Sequence, residues 1–160
     1  MLDFDSLYRR YAGDVHRFAL YLSGDPAAAE DLVSEAFIRV WAARDRVEFS
    51  TVRGYLFAIT RNLHRQGLRR SRRQTALDAS EPDPTPDLAR VREEEQDLER
   101  VLRELHTLPE SDRTAVLLRA LGDTPYEEIA ALLGITVGAA KVKVHRARLK
   151  LAAARQEDKP

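Results

Sequence analysis

Thr124-Pro125-Tyr126-Glu127-Glu128-Ile129-Ala130-Ala131-Leu132-Leu133-Gly134-Ile135-Thr136-Val137-Gly138-Ala139-Ala140-Lys141-Val142-Lys143-Val144-His145-Arg146-Ala147-Arg148 holds the most specific local pattern in the chain. Thr124 and Glu127 fit a capping box, with Pro125 at the first helical position. A short helix over 126–133 then ends at Gly134, and Thr136 can cap a second helix from Val137 to about Ala153. Helix, glycine-bearing turn, helix is the layout of a helix-turn-helix. Ala130 is small where two helices must cross, and Ile135 anchors the turn. At about 100° per residue, Ala140, Val144, Ala147 and Leu151 share one sector and face inward. Lys141, Val142, His145 and Arg146 fall on the other side, while Lys143, Arg148 and Lys150 flank the inward stripe. The cations suit phosphates, and Val142 suits a thymine methyl. A helical hairpin with a solvated basic face is the alternative reading.

Upstream, Leu108-Pro109-Glu110 opens a helix with apolar positions at Val116, Leu117, Ala120 and Leu121, stopped by Gly122. Further back, Pro82, Pro84 and Pro86 alternate among Asp78, Glu81, Asp83 and Asp87. Alternating prolines remove backbone donors and hold a chain extended, and too few apolar residues surround them to build a core. This places a linker at residues 74–90 between domains at 1–73 and 91–160. Helix is expected to resume at about Leu88, on the broken stripe Leu88, Val91, Leu98, Val101, Leu102 and Leu105.

Strand periodicity is absent from the first 73 residues. Leu7, Tyr11, Val15, Phe18 and Leu22 define one helix, closed by Ser23-Gly24. Asp25 and Pro26 start the next, which runs to about Ala43 with Leu32, Val33, Ala36, Phe37 and Val40 inward. Its outer face carries Asp31, Ser34, Glu35 and Ile38, with Trp41 at the edge. An isoleucine and a tryptophan beside acids suit a protein-docking patch, although one exposed apolar residue is ordinary and Trp41 could equally be buried. A third helix, Thr51 to Arg73, turns Val52, Tyr55, Leu56, Ile59 and Leu63 to the core. Asn62, Arg65, Gln66 and Arg69 share a face, pairing amides that read base edges with cations that hold phosphates. Arg61, Arg70, Arg72 and Arg73 add charge, and Gly67 marks a possible bend.

The whole chain has 160 residues, with 26 basic and 26 acidic side chains and no cysteine. The zero balance conceals segments: residues 1–73 carry 13 basic and 9 acidic side chains, 74–112 carry 4 and 12, and 113–160 carry 9 and 5. Two basic ends flanking an acidic middle suit two polyanion-facing surfaces or, more simply, a solvated connector. Lack of cysteine excludes disulfides and thiolate chemistry. His16, His64, His106 and His145 follow no metal-ligand spacing, and there is no glycine-rich phosphate loop. No cofactor, metal or catalytic constellation is expected, so a binding protein is expected rather than an enzyme. No apolar run is long enough to cross a membrane, and the acidic first residues do not read as a secretory signal. A cytoplasmic, all-α protein of two small helical domains is the expectation.

These strings resemble the extracytoplasmic-function (ECF) group of the sigma-70 family, bacterial RNA polymerase specificity subunits. The resemblance rests on Ala29-Glu30-Asp31-Leu32-Val33, Phe37-Ile38-Arg39-Val40-Trp41 and Tyr55-Leu56-Phe57-Ala58-Ile59-Thr60-Arg61-Asn62. It continues through Leu108-Pro109-Glu110-Ser111-Asp112-Arg113, Glu128-Ile129-Ala130, Leu133-Gly134 and His145-Arg146-Ala147-Arg148. It implies that Asp31, Leu32, Glu35, Ile38 and Trp41 bind core RNA polymerase. It implies that Asn62, Arg65, Gln66 and Arg69 read the −10 promoter element, with the loop around Val47 to Thr51 capturing an unstacked base. Lys141, Val142, Lys143, His145 and Arg146 correspond to the −35-reading helix. The acidic linker resembles a segment that threads the polymerase channel. Implied partners are core polymerase, promoter DNA and an anti-sigma factor, without membrane insertion. Departures from the family pattern at Ser34, Ala139, Ala140, Val142 and His145 bear on which promoter is read. The alternative is a polymerase-independent helix-turn-helix regulator with an N-terminal sensor or dimer module.

Overall fold

The computed structural model describes residues 3–47, 52–77 and 96–156. All regular structure among the described residues is helical: α1 (Phe4–Ser23), α2 (Pro26–Ala42), α3 (Val52–Leu77), α4 (Gln96–Thr107), α5 (Glu110–Gly122), α6 (Tyr126–Leu133) and α7 (Val137–Gln156). The chain divides into two compact units, Met1–Pro86 and Asp87–Pro160.

In the first unit α1, α2 and α3 pack pairwise against one another. The α1 stripe Leu7, Tyr11, Val15, Phe18 and Leu22 is buried as its spacing predicts. Asp3 caps α1 by accepting from the Ser6 N–H at 2.6 Å. Gly24 turns the chain at φ 69°, a left-handed conformation that glycine adopts without steric cost. At the next residue, the Asp25 carboxylate accepts from the Ala27 and Ala28 N–H groups at 3.0 and 3.4 Å, with Pro26 opening α2. That cap is worth about 1 kcal/mol. The Phe18 and Phe57 rings meet edge-on, 5.1 Å apart, and lock α1 to α3.

The third helix departs from expectation in two ways. It runs to Leu77, four residues past the expected end at Arg73, so residues 74–77 are helix and not linker. Gln74, Ala76 and Leu77 are good helix formers, Thr75 among them costs less than about 1 kcal/mol, and no glycine or proline intervenes before Leu77. The helix also continues through Gly67 without a break. Second, Tyr55 faces outward at 41% exposure, while Phe57, Thr60, Arg61 and His64 are buried. Because α3 packs against both α1 and α2, its buried sector is wide and rotated away from Tyr55. The rest of the expected linker, the helix start at Leu88 and loop residues 48–51 lie outside the described residues.

The second unit is built around α5, whose residues Asp112 through Leu118 are all buried. Seven consecutive buried residues mean a helix enclosed on all sides, and α7 and α6 supply part of that cover. Ala120 is exposed, contrary to the expected stripe, because α5 emerges from the core there. The stop is set by Asp123 in the left-handed region at φ 49°, with Gly122 still helical. The capping box also fails to form. Pro125 occupies the cap position with an extended ψ of 146°, which displaces Thr124 one residue outside the helix. Thr124 is buried and its Oγ1 has no hydrogen-bond partner. The remaining signals match: Gly134 closes α6 at φ 67°, and the Thr136 hydroxyl accepts from the Ala139 N–H at 3.1 Å to cap α7.

Candidate nucleic-acid interface

Two helices carry cationic faces without internal neutralisation. The α3 sequence contains seven arginines and no acid. Asn62, Gln66 and Arg69 are exposed on it and Arg65 is half-buried, so the expected quartet shares one accessible side. Arg70, Arg72 and Arg73 are exposed beyond it. Arg61, expected to add charge to that face, is instead buried.

The second cationic helix is α7, with six basic residues and no acid. Ala140, Val144 and Ala147 are fully buried against the unit's core, which turns Lys141, Val142, His145 and Arg146 outward. Val142 is 53% exposed, open to apolar contact. Lys143 lies apart. Its ammonium donates to Asp112 Oδ1 at 3.0 Å and to Ser111 Oγ at 3.2 Å on α5.

Two neighbours of this face escaped the sequence reading. Tyr126, at the start of α6, has the Arg119 guanidinium 4.6 Å and the Lys141 ammonium 5.8 Å from its ring centroid. Arg119 also donates to the Thr124 carbonyl at 3.2 Å and lies 3.5 Å from Asp123. These residues belong to three helices, so no single-helix periodicity brings them together. Leu149 is 58% exposed. It stands seven residues after Val142, so two turns of α7 place both on one side, a signal the sequence did carry.

On α2, Asp31, Ser34, Glu35 and Ile38 are exposed, while Leu32 and Trp41 are half-buried. Ile38 is 59% exposed. Glu35 accepts from Arg39 Nε at 3.1 Å, leaving Asp31 as the uncommitted acid of the pair. Trp41 is packed edge-on by Phe4 at 5.6 Å and covered by Arg44 at 4.5 Å. Phe4 and Tyr8 of α1 also ring Phe37, forming a partly exposed aromatic ledge beside Ile38. Its marker in the sequence was the pair Phe4 and Tyr8, one turn apart beside the main α1 stripe.

Among the described residues no cluster of histidines and acids could hold a metal ion, and no helix is long and apolar enough to cross a membrane. What the two basic faces can do is contact a polyanion, with amides on α3 and an apolar spot on α7 available for bases.

Residues 7–74 match the family described as Sigma-70 region 2, and residues 98–151 match Sigma-70, region 4. The chain is 35% identical over 150 residues to the RNA polymerase sigma factor CarQ of Myxococcus xanthus, covering 92% of this chain and 86% of CarQ. It is 34% identical over 161 residues to the ECF RNA polymerase sigma factor SigE of Mycolicibacterium smegmatis, covering 94% of this chain. The chain belongs to the ECF sigma factors of the sigma-70 family. It spans 61% of the length of SigE. The fold agrees: the sigma factor RpoE of Bartonella quintana, solved in complex with the anti-sigma factor NepR, superposes with a TM-score of 0.85 at 26% identity, covering 98% of this chain and 99% of that one. This is a family of transcription initiation factors. The region 2 match contains the faces of α2 and α3 just described, and the region 4 match contains α5, α6 and the basic face of α7.

Proposed function

We propose that the chain binds core RNA polymerase through α2 and directs promoter recognition and opening, reading the −10 element with α3 and the −35 element with α7. The observation that carries this reading is the pair of acid-free basic helices, one in each family-matched region. Asn62, Arg65, Gln66 and Arg69 contact the −10 element. Lys141, Val142, His145 and Arg146 contact the −35 element. Asp31, Leu32, Glu35, Ile38 and Trp41 form the polymerase contact, in which an exposed isoleucine anchors within an acidic rim. The domains are 1–77 and 91–160, the first extended past residue 73 by the end of α3, and an acidic connector joins them.

Binding supplies the energy for strand opening, and no catalytic step is assigned to the chain. Each small domain holds DNA weakly alone. Attachment to polymerase makes the second contact intramolecular and raises its effective concentration. Capture of an unpaired base near Val47–Thr51 offsets part of the few kcal/mol needed to unstack it. The chain acts in the cytoplasm, where polymerase and DNA are. The NepR complex of the similar RpoE supports an anti-sigma factor as a further partner.

Purified core polymerase should initiate transcription from a cognate promoter only when the chain is added. Absence of any polymerase binding would defeat this reading. Tight duplex binding by the chain alone, unaffected by polymerase, would favour an independent helix-turn-helix regulator.

A further inference from the structure

Among the basic residues of α7, Lys143 is singled out by its surroundings. Its side chain is 22% exposed, and the Asp112 side chain it meets is 8% exposed. The ammonium lies 3.0 Å from Asp112 Oδ1 and 3.2 Å from Ser111 Oγ, so two of its three protons are committed across the α5–α7 interface. Asp112 and Ser111 stand in the first turn of α5. Lys141 and Arg146, by contrast, are exposed.

The packing around α7 gives this ion pair a task. α7 packs against α4, α5 and α6, and its fully buried side chains at those contacts are Ala140, Val144 and Ala147. Two of the three are alanines, whose short side chains interdigitate little with a neighbouring helix and resist rolling weakly. The Thr136 cap fixes where α7 starts but not its rotation about its own axis. A roll of about 20° would carry an outward side chain by about 2 Å, enough to make or lose a hydrogen bond to a base edge. A half-buried ion pair at the edge of the packed stripe opposes such a roll.

We propose that Lys143 is a positioning residue and not a DNA contact: paired with Asp112 and Ser111, it sets the rotation of α7 so that Lys141, Val142, His145 and Arg146 meet their base pairs in register. The proposal rests on the reading of α7 as the −35-facing helix. It removes Lys143 from the set of direct readers that the resemblance implied and adds Asp112, an acid on another helix, to the residues that determine specificity.

The test uses the full chain bound to core RNA polymerase, a duplex of about 20 bp selected by that wild-type complex from a randomised pool, and a shuffled duplex of equal length. Affinities are measured across a salt series. Lys143→Met and Asp112→Asn should each lower the ratio of selected to shuffled affinity about three- to tenfold, and the double variant should lose no more than either alone. Lys143→Arg, which keeps the pair, should retain the ratio. The salt slope of Lys143→Met should equal that of wild type, whereas Lys141→Ala should flatten it by about 0.9, one phosphate contact. A role confined to stability would lower the folded fraction and scale both duplexes equally, leaving the ratio intact. The proposal is overturned if Lys143→Met flattens the slope as Lys141→Ala does, or if Asp112→Asn keeps the wild-type ratio. If wild type enriches no duplex from the pool, the −35 reading itself fails, a result distinguishable from either of those.

Discussion

Arg113 shows how one buried charge can organise a domain. Its guanidinium donates to the carbonyls of Leu105, His106 and Leu108 at 3.1, 3.3 and 3.2 Å. Those carbonyls end α4 and the turn after it, where a helix leaves acceptors unsatisfied. Burial pulls the Arg113 pKa below the ordinary guanidinium value, an effect the carboxylate of Glu110 opposes. Arg113→Met should therefore destabilise the second unit by about 3 kcal/mol, read as a lower denaturant midpoint, because three buried acceptors lose their donor. His106 is the neighbouring case. Burial, aided by the positive charge of Arg113, holds its imidazole below the usual value, and its Nε2 is buried without a partner. The unfolded chain takes up a proton there below about pH 6.5 while the folded one resists it. The stability contribution is therefore complete above that pH and lost as pH falls toward the folded pKa. His106→Gln should flatten the fall in stability between about pH 7 and pH 5 in denaturant titrations. In the sequence Arg113 stands only within one of the strings that carry the family resemblance, and His106 is one of four scattered histidines. Their roles come from carbonyls and a charge that folding brings alongside.

At the scale of the element, local signals were reliable where they act within one turn. Asp25-Pro26, Gly134 and Thr136 all behave as read, because a cap bonds to N–H groups two or three residues away. Thr124 failed because proline's fixed φ leaves ψ free. The chain takes the extended choice at Pro125, moving the cap one residue along. Two glycines give opposite expectations. Gly134 has φ 67° and open space around a built Cβ, so Gly134→Ala should cost about 1 kcal/mol from the backbone alone. Gly67 is inside α3, also with open space, and Gly67→Ala should stabilise by about 1 kcal/mol. Thermal melts of the two variants, compared with wild type, check both signs. Tyr55 and Arg61 mark the limit of periodicity for α3. A stripe calculated for one partner misplaces residues when a helix packs against two.

At the scale of the whole molecule, the balanced total charge is less informative than where the charges lie. Acids are missing from α3 and α7 and present on α2, so one chain offers surfaces of opposite character. Ile38→Glu should lower affinity for core polymerase at least tenfold, or about 1.4 kcal/mol, by burying a charge where an apolar anchor is expected. It should leave the melting temperature nearly unchanged, because Ile38 is already in solvent. Pull-down with core polymerase and a thermal melt, run on the same preparation, separate these effects.

Residue type and spacing foretell the all-helical class, the caps of α2 and α7, the turn at Gly134, the inward stripe of α1, the inward Ala140, Val144 and Ala147 of α7 (Leu151 is half-buried), and the outward Asn62, Gln66 and Arg69 of α3 (Arg65 is half-buried). These follow from relations spanning one or two turns of chain, where residue type and spacing set the geometry. Packing between helices sets the rest: Tyr55 faces out, Arg61 and His64 are buried, Arg113 closes α4, and Lys143 joins Asp112. Each depends on groups distant in sequence or on a second packing partner. The energy of such contacts exists only once burial removes competing water, and no local pattern encodes that.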